Sequence, residues 1–305
     1  MVQNNLNSSE VHGAKMGALP TSEDVRSIGD IIRDTRNLSA EQVGEVLEYQ
    51  RSHGMKFGEA AIALGLATPD DVLQALAQQF NYAYSGQEQG KSNPELVTLN
   101  QPFSQQAEAF RAMRAQILLR TQADATSGMP AARRAVAVVS PSSGEGKTYF
   151  CANLAVALAQ LGGRTLVIDA DMRGPRMHEV FEVESKIGLT GLLSGRRGDS
   201  VIMAVKGVPN LFVLPVGIRP PNPLELIEGP AFGVLLQELL TKFDHVIVDT
   251  PSAQYGADAI VTAARCGVAL VVARKDRARI DDLQELVQTL GASTAKLVGV
   301  VMNEF

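Results

Sequence analysis

The sequence predicts a two-part chain: a small all-helical domain, then an α/β domain whose mostly parallel sheet carries helices on both faces. Three observations predict it. From Ala135 onward, strand-like apolar runs alternate with helix-like periodic segments, the pattern of a parallel sheet covered on both sides. The first run, Ala135–Val139, breaks at Ser140-Pro141-Ser142-Ser143-Gly144-Glu145-Gly146-Lys147-Thr148, and a helical pattern follows with Leu154, Ala155, Ala157 and Leu158 on one face. Residues 26–80 repeat themselves at an offset of 29: Ser27-Ile28-Gly29 aligns with Lys56-Phe57-Gly58, and Val43, Leu47 and Gln50 align with Val72, Leu76 and Gln79. Self-similarity of this kind marks a repeated structural unit.

Composition sets the bounds. With 305 residues and 45% hydrophobic content, the chain can bury a substantial core, and its net charge of −5 gives no global signal for nucleic acid. Cys151 and Cys266 fall in apolar segments, which suits a reducing compartment and leaves no zinc site. No apolar run approaches the ~20 residues that span a bilayer. The first residues lack the apolar centre of a signal peptide. The expectation is a cytoplasmic protein that meets a membrane only through a partner.

Taken in order, residues 1–25 are polar and aperiodic and are expected to be a disordered tail. The helical domain is assigned to 26–85. Its two copies each read as helix, tight turn and helix, over 30–35 and 40–50, then 59–64 and 69–79. Ser39 and Thr68 stand at helix starts, and Thr68-Pro69-Asp70-Asp71 combines a hydroxyl cap, a first-position proline and an acidic first turn. Residues 86–104, rich in Gly, Ser, Gln, Asn and Pro, are expected to be a linker. A helix follows over 105–122, with Glu108, Arg111 and Arg114 spaced along one side. The α/β domain is assigned to 105–305, with strands at 135–140, 164–169, 210–215, 244–249, 267–273 and 296–302.

The chemistry gathers at strand ends, where ligands of such folds bind. A strand, glycine-containing loop, Lys-Thr and helix together cradle phosphates through backbone N–H groups and the helix N-terminus. Lys147 would reach the β- and γ-phosphates, and the Thr148 hydroxyl would ligate Mg²⁺. Pro141 stands where the general pattern has its first glycine, so the loop is a variant. The second strand runs into Asp169-Ala170-Asp171-Met172-Arg173, and the run His245-Val246-Ile247-Val248 ends at Asp249-Thr250-Pro251. An aspartate closing an apolar strand is the usual Mg²⁺ holder of phosphate-loop proteins. His178 and His245 read as structural. Arg274-Lys275-Asp276-Arg277-Ala278-Arg279 reads either as a solvated face or as a docking patch.

On these motifs, residues 105–305 resemble the bacterial tyrosine kinase (BY-kinase) family, whose members partner polysaccharide co-polymerases. Ser140–Thr148 matches its Walker A loop and Leu166–Arg173, with Pro175 and His178, its Walker A′ segment. Val246–Pro251 matches its Walker B strand, Gly217–Leu226 a further familiar block, and Glu108, Arg111 and Arg114 its ExxRxxR oligomerisation signature. The resemblance implies a P-loop NTPase-like fold and an ATP- and Mg²⁺-dependent protein-tyrosine autokinase acting in exopolysaccharide synthesis and export. It implies nucleotide contacts at Ser143, Gly144, Glu145, Gly146, Lys147, Thr148, Tyr149 and Asn303, with Asn303 on the adenine edge. Metal contacts fall to Thr148, Asp171 and Asp249. Lys147, Asp169 and Asp171 take catalytic roles, Asp169 orienting or deprotonating the incoming hydroxyl. A homo-oligomeric ring and a membrane chain-length-determinant protein are the implied partners, with no nucleic acid.

Ser143 replaces a proline usual in the family. The sequence closes at Phe305 without the family's tyrosine cluster, and its tyrosines are Tyr49, Tyr82, Tyr84, Tyr149 and Tyr255. An alternative therefore stands: a nucleotide-switch ATPase that regulates the membrane partner without kinase activity. A partition or septum-positioning ATPase fits less well, because those carry an early second lysine and Ser140–Gly146 has none.

The helical repeat resembles the MshEN-type N-terminal module of type II secretion ATPases, through Gly29, Ile32, Leu47 and Gln50 in one copy and Gly58, Gly65, Leu76 and Gln79 in the other. Some members bind cyclic di-GMP. Here Ser27 and Lys56 take the arginine positions and Arg36 takes a glycine position, so cyclic di-GMP binding and pure protein docking both stay open.

Overall fold

The computed structural model describes residues 26–79, 92–122, 133–196 and 201–304. The segment 1–25, expected to be disordered, lies outside the described residues, as do Tyr82 and Tyr84. The chain divides into two compact units, residues 1–80 and 81–305.

In the first unit the helices are α1 (Ile28–Arg36), α2 (Ala40–His53), α3 (Phe57–Ala63) and α4 (Pro69–Gln79). Side chains fix their starts. Ser27 accepts from the backbone of Asp30, and Ser39 and Gln42 form a reciprocal capping box at α2. Thr68 and Asp71 exchange the same kind of bonds at α4, at 2.6 and 3.3 Å. Ile31, Ile32, Val46, Ala60, Ala61 and Ala75 form the core. Gly58 is required by close approach, since a Cβ there would meet Val72 at 2.8 Å. Arg36, which occupies a family glycine position, pairs with the buried Asp71 at 2.7 Å. The left-handed turn moves one residue on, to Asn37.

The second unit contains α5 (Val97–Asn100), α6 (Gln105–Gln122), β1 (Ala135–Val139), α7 (Lys147–Ala159), β2 (Thr165–Asp169), α8 (Met177–Val180), α9 (Leu189–Leu193), β3 (Met203–Ala204), β4 (Leu211–Leu214), α10 (Pro223–Glu228), α11 (Pro230–Lys242), β5 (His245–Asp249), α12 (Asp258–Cys266), β6 (Gly267–Arg274), α13 (Ile280–Gly291) and β7 (Lys296–Asn303). The sheet order is β3-β4-β2-β5-β1-β6-β7. All pairs are parallel except β3 with β4. The predicted mostly parallel sheet is thus observed. The two-residue β3 is too short to leave a periodic signal.

Alternate residues of each strand feed opposite faces. Val136, Val138, Val167 and Ile247 pack with Phe110, Ile117 and the whole of α7. Ala137, Val139, Leu166, Ile168 and Val248 pack with Phe232, Leu236, Ala259 and Leu286 on the other side. Helix α7 is apolar all round and almost wholly buried, as such helices must be.

The stretch expected as a linker, 86–104, differs over its described part. Residues 92–104 belong to the second unit: Leu96 and Leu99 are buried in its core. Asn153 accepts from the backbone of Thr98 at 2.9 Å and donates to the carbonyls of Glu95 and Tyr149 at 2.8 and 3.0 Å. The polar composition of the stretch conceals three adjacent anchors, Leu96, Val97 and Leu99. Among the described residues no helix is long and apolar enough to cross a membrane.

Candidate functional site

Beta strand β1 lies between β5 and β6, and the loop Ser140–Gly146 leaves its carboxyl end. Gly144 (φ 77°) and Gly146 (φ 94°) hold left-handed conformations that other residues rarely adopt. Together they curl the loop so that α7 starts at Lys147 with its N–H groups facing the loop. A Cβ on Gly146 would come within 2.2 Å of Asn303 Nδ2.

Lys147 is only 7% exposed. Its Nζ donates to Ser140 Oγ at 2.9 Å, and that hydroxyl donates to Ser142 O at 2.7 Å. The loop is tied from two other strands. Glu145 is fully buried, and its Oε2 accepts the backbone N–H of Arg274 at the end of β6. Asn303, the last residue of β7, donates to Glu145 O at 2.9 Å. Glu145 Oε1 has no hydrogen-bond partner among the described residues. Tyr149 packs edge-on against Phe110, ring centroids 5.9 Å apart. Both rings, with Met113, Met302 and Asn303, line a cavity of about 510 Å³ beside the loop. Burial, then the charge of Glu95, raises the Tyr149 phenol above its ordinary value.

The carboxylates converge from β2 and β5, which are neighbours with Asp169 and Asp249 in register. Thr148 Oγ1 donates to Asp249 Oδ2 at 2.6 Å. Asp249 is completely buried, and burial pushes its carboxyl up to about 6 in spite of Lys147 and Thr148, which pull the other way. Burial, and then the charge of Asp249, also drives Asp169 well above the carboxylate range.

The arrangement encloses Asp169. It has no exposed surface, and both of its oxygens accept backbone N–H groups, from Asp171 and Met177 at 3.1 Å each. A carboxylate so enclosed fixes the turn after β2. Asp171 is only half-buried; its Oδ1 accepts from the backbone of Arg173 and Gly174 at 3.1 and 2.9 Å, which leaves Oδ2 at the rim. Among the described residues no group of three or more His, Cys, Asp or Glu side chains is arranged as a metal cage.

The remaining predicted residues lie elsewhere or serve the fold. Glu108 and Arg111 pair along α6 at 2.6 Å, and Arg114 donates to Ala157 O near the far end of α7 at 2.6 Å. Ten residues of helix separate that carbonyl from Lys147, roughly 15 Å. His178 and His245 do not join the site, and burial lowers the imidazole of His245. Cys151 is buried with its Sγ 3.8 Å from Asp249 Oδ1, and burial raises its thiol, so it stays a protonated filler. One contact had no sequence signal: Arg173 Nη2 donates to both carboxylate oxygens of the buried Asp258, at 3.0 and 3.1 Å. It pins the turn that carries Asp171 to the start of α12.

Comparison with known proteins gives a consistent picture. Residues 136–305 match the CobQ/CobB/MinD/ParA nucleotide binding domain family. The putative tyrosine-protein kinase EpsB of Ralstonia solanacearum is 33% identical over 213 residues, 70% of this chain but 28% of that protein. The putative tyrosine-protein kinase CapB of Staphylococcus aureus is 31% identical over 209 residues, 68% of this chain and 89% of that protein. Among solved structures, the kinase domain of the Escherichia coli tyrosine kinase ETK superposes with a TM-score of 0.63 at 28% identity, covering 71% of this chain and 82% of that one.

Proposed function

Because the chain belongs to the bacterial tyrosine kinase family, within the CobQ/CobB/MinD/ParA nucleotide-binding class, we propose that it binds ATP with Mg²⁺ and transfers the γ-phosphoryl group to protein tyrosine. The observation that carries the proposal is one cluster: Lys147, Thr148, Asp249 and Asp171 around a left-handed glycine loop at the carboxyl ends of β1, β2 and β5. Phosphoryl transfer asks for positioning and charge neutralisation rather than covalent chemistry, and this cluster supplies both. The backbone N–H groups of 144–148 and the Lys147 ammonium hold the phosphates, and Ser143 stands at the loop's edge.

The residues fit Mg²⁺. This ion takes one or two carboxylates and completes its shell with phosphate oxygens and water, and the absence of a full protein cage among the described residues accords with that. Thr148 and Asp249 would hold it, with Asp171 through water. Bound there, the ion would neutralise phosphate charge. Asp171 orients the incoming hydroxyl, and Asp169 is a positioning residue that shapes its turn. Asn303 and Tyr149, on the 510 Å³ cavity, contact the adenine.

The proposal extends to the assembly. Arg111 and Arg114 dock onto a neighbouring copy to close a ring, and a membrane chain-length-determinant protein holds the kinase at the cytoplasmic face to regulate exopolysaccharide synthesis and export. The helical unit serves as an MshEN-type docking or cyclic di-GMP-sensing module; calorimetry with cyclic di-GMP separates the two. For the activity itself, the test is phosphotyrosine by mass spectrometry after incubation with Mg-ATP. Lys147→Met should abolish phosphotyrosine and ATP turnover together. ATP hydrolysis without any phosphotyrosine, on itself or on an added tyrosine substrate, would replace the kinase with the nucleotide-switch reading.

A further inference from the structure

The basic run that begins at the last residue of β6 carries four cations, and the structure separates them. Lys275 pairs with Glu304 at 3.3 Å, and Arg279 with Asp282 at 4.0 Å. The guanidinium groups of Arg274 and Arg277 form no ion pair among the described residues. Both turn to the phosphate loop instead. Arg274 Nη1 lies 3.5 Å from Gly144 O. The Arg277 guanidinium lies flat over Gly144, with Cζ and both terminal nitrogens 3.1 Å from where a Cβ on that glycine would stand.

Arg277 is exposed, and an exposed arginine ordinarily keeps its head in water. Here the head rests instead on the first left-handed glycine of a loop built to grip anions. The Gly144 N–H opens the row of amides that runs to Thr148. A cation in van der Waals contact with that residue stands at the rim of whatever anion those amides hold. The backbone fixes this placement: Asn303 O accepts from Lys275 N at 2.8 Å, and Glu145 Oε2 accepts from Arg274 N. The turn 274–278 is thereby strapped to the loop and to β7 together. The closest anionic side chain on the loop, Glu145, is buried and directed to the backbone of Arg274, so it does not neutralise Arg277.

We infer that Arg277 is a further nucleotide-binding residue, a planar cation that closes over the polyphosphate from the β6 side opposite Lys147. Lys147 reaches the phosphates from beneath the loop and Arg277 from its outer rim, so the anion is held between two positive charges of different geometry. A guanidinium offers a rigid pair of parallel donors to phosphate oxygens, and an ammonium offers a single point of charge. The contact is to phosphate and not to the base, because Arg277 lies against Gly144 and is not among the residues that line the cavity bordered by Tyr149 and Asn303.

This inference rests on the proposed nucleotide site, and the experiment separates the two. Calorimetry on the full chain uses a non-hydrolysable ATP analogue with Mg²⁺, and then inorganic tripolyphosphate, which has no base. Arg277→Gln keeps a planar polar head against Gly144 but removes the charge. It should weaken both probes by about tenfold, with an unaltered melting temperature of the unliganded protein. Arg277→Lys should recover part of that loss through charge alone. Arg277→Gln affinities within twofold of the wild type overturn the inference. So does a loss confined to the ATP analogue, which would make Arg277 a base contact. A fall in unliganded melting temperature that tracks the affinity loss and is not relieved by lysine would reduce it to packing. A wild-type chain that binds the analogue but not tripolyphosphate also removes it, while one that binds neither probe removes the nucleotide site itself.

Discussion

Asp249 is buried and held 2.6 Å from Thr148. Its replacement by asparagine separates what the site needs from what the fold prefers. Burial lifts its carboxyl from 3.8 to about 6. At about 1.4 kcal/mol per pKa unit, keeping it ionised in the folded chain costs about 3 kcal/mol at pH 7.5. A carboxyl raised on folding gives its full benefit only while protonated. Its cost therefore begins near pH 4, grows as pH climbs through about 6, and is complete above that. Asp249→Asn keeps shape and an acceptor for Thr148 but carries no charge, and it also relieves Asp169 of its nearest like charge.

In EDTA at pH 7.5 the variant should melt roughly 6–12 °C higher than the wild type, using about 2–4 °C per kcal/mol for a unit of this size. At pH 4.5, where the wild-type carboxyl is already mostly neutral in the fold, the gain should shrink to about 1 kcal/mol. The stabilised protein should lose its Mg²⁺-dependent nucleotide affinity in calorimetry. Equal melting temperatures at pH 7.5 would refute the reasoning, and so would a gain of the same size at both pH values.

Three further outcomes follow from the geometry. Gly146→Ala, with φ 94° and a Cβ 2.2 Å from Asn303 Nδ2, should abolish nucleotide binding in a filter or calorimetric assay while leaving the circular dichroism of the chain intact. Leu99→Ala should cost about 2–5 kcal/mol in urea unfolding of the second unit, because Leu99 is buried under α7; a solvent-exposed linker leucine would cost next to nothing. Arg111→Ala with Arg114→Ala should dissolve the proposed ring in gel filtration. It should also cost about 1–2 kcal/mol of monomer stability, since Arg114 caps the Ala157 carbonyl.

Much of the architecture was legible because it is written in strong periods. The apolar runs 164–169 and 244–249 could only be buried strands, and the observed β2 and β5 agree within a residue at each end. The loop and its carboxylates were legible too, because glycine, lysine and strand-end aspartates announce themselves by type. What sequence could not settle was how equivalent groups divide the work. Asp169 and Asp171 look alike two residues apart, yet one is enclosed by backbone donors and the other sits at the rim. Residues 92–104 escaped for a different reason: Leu96 and Leu99 pack into a core built by a distant helix, whose Asn153 bonds the backbone of Thr98 and Glu95, and composition averaged over a window erases a few apolar anchors among many polar neighbours. The Arg173–Asp258 pair spans 85 positions, a distance over which no local pattern operates.

The hold that Asn153 keeps on the backbone of Glu95 and Thr98 bears on how the polypeptide should be divided for expression. A fragment started at Gln105, where the long helix begins, would strip two leucines off the helix that carries the lysine and leave an oily groove open to water. Such a fragment would aggregate, and its inactivity would say nothing about catalysis. A useful truncation starts no later than residue 92, so that the short Val97–Asn100 turn stays seated as a wedge behind the nucleotide loop's own helix.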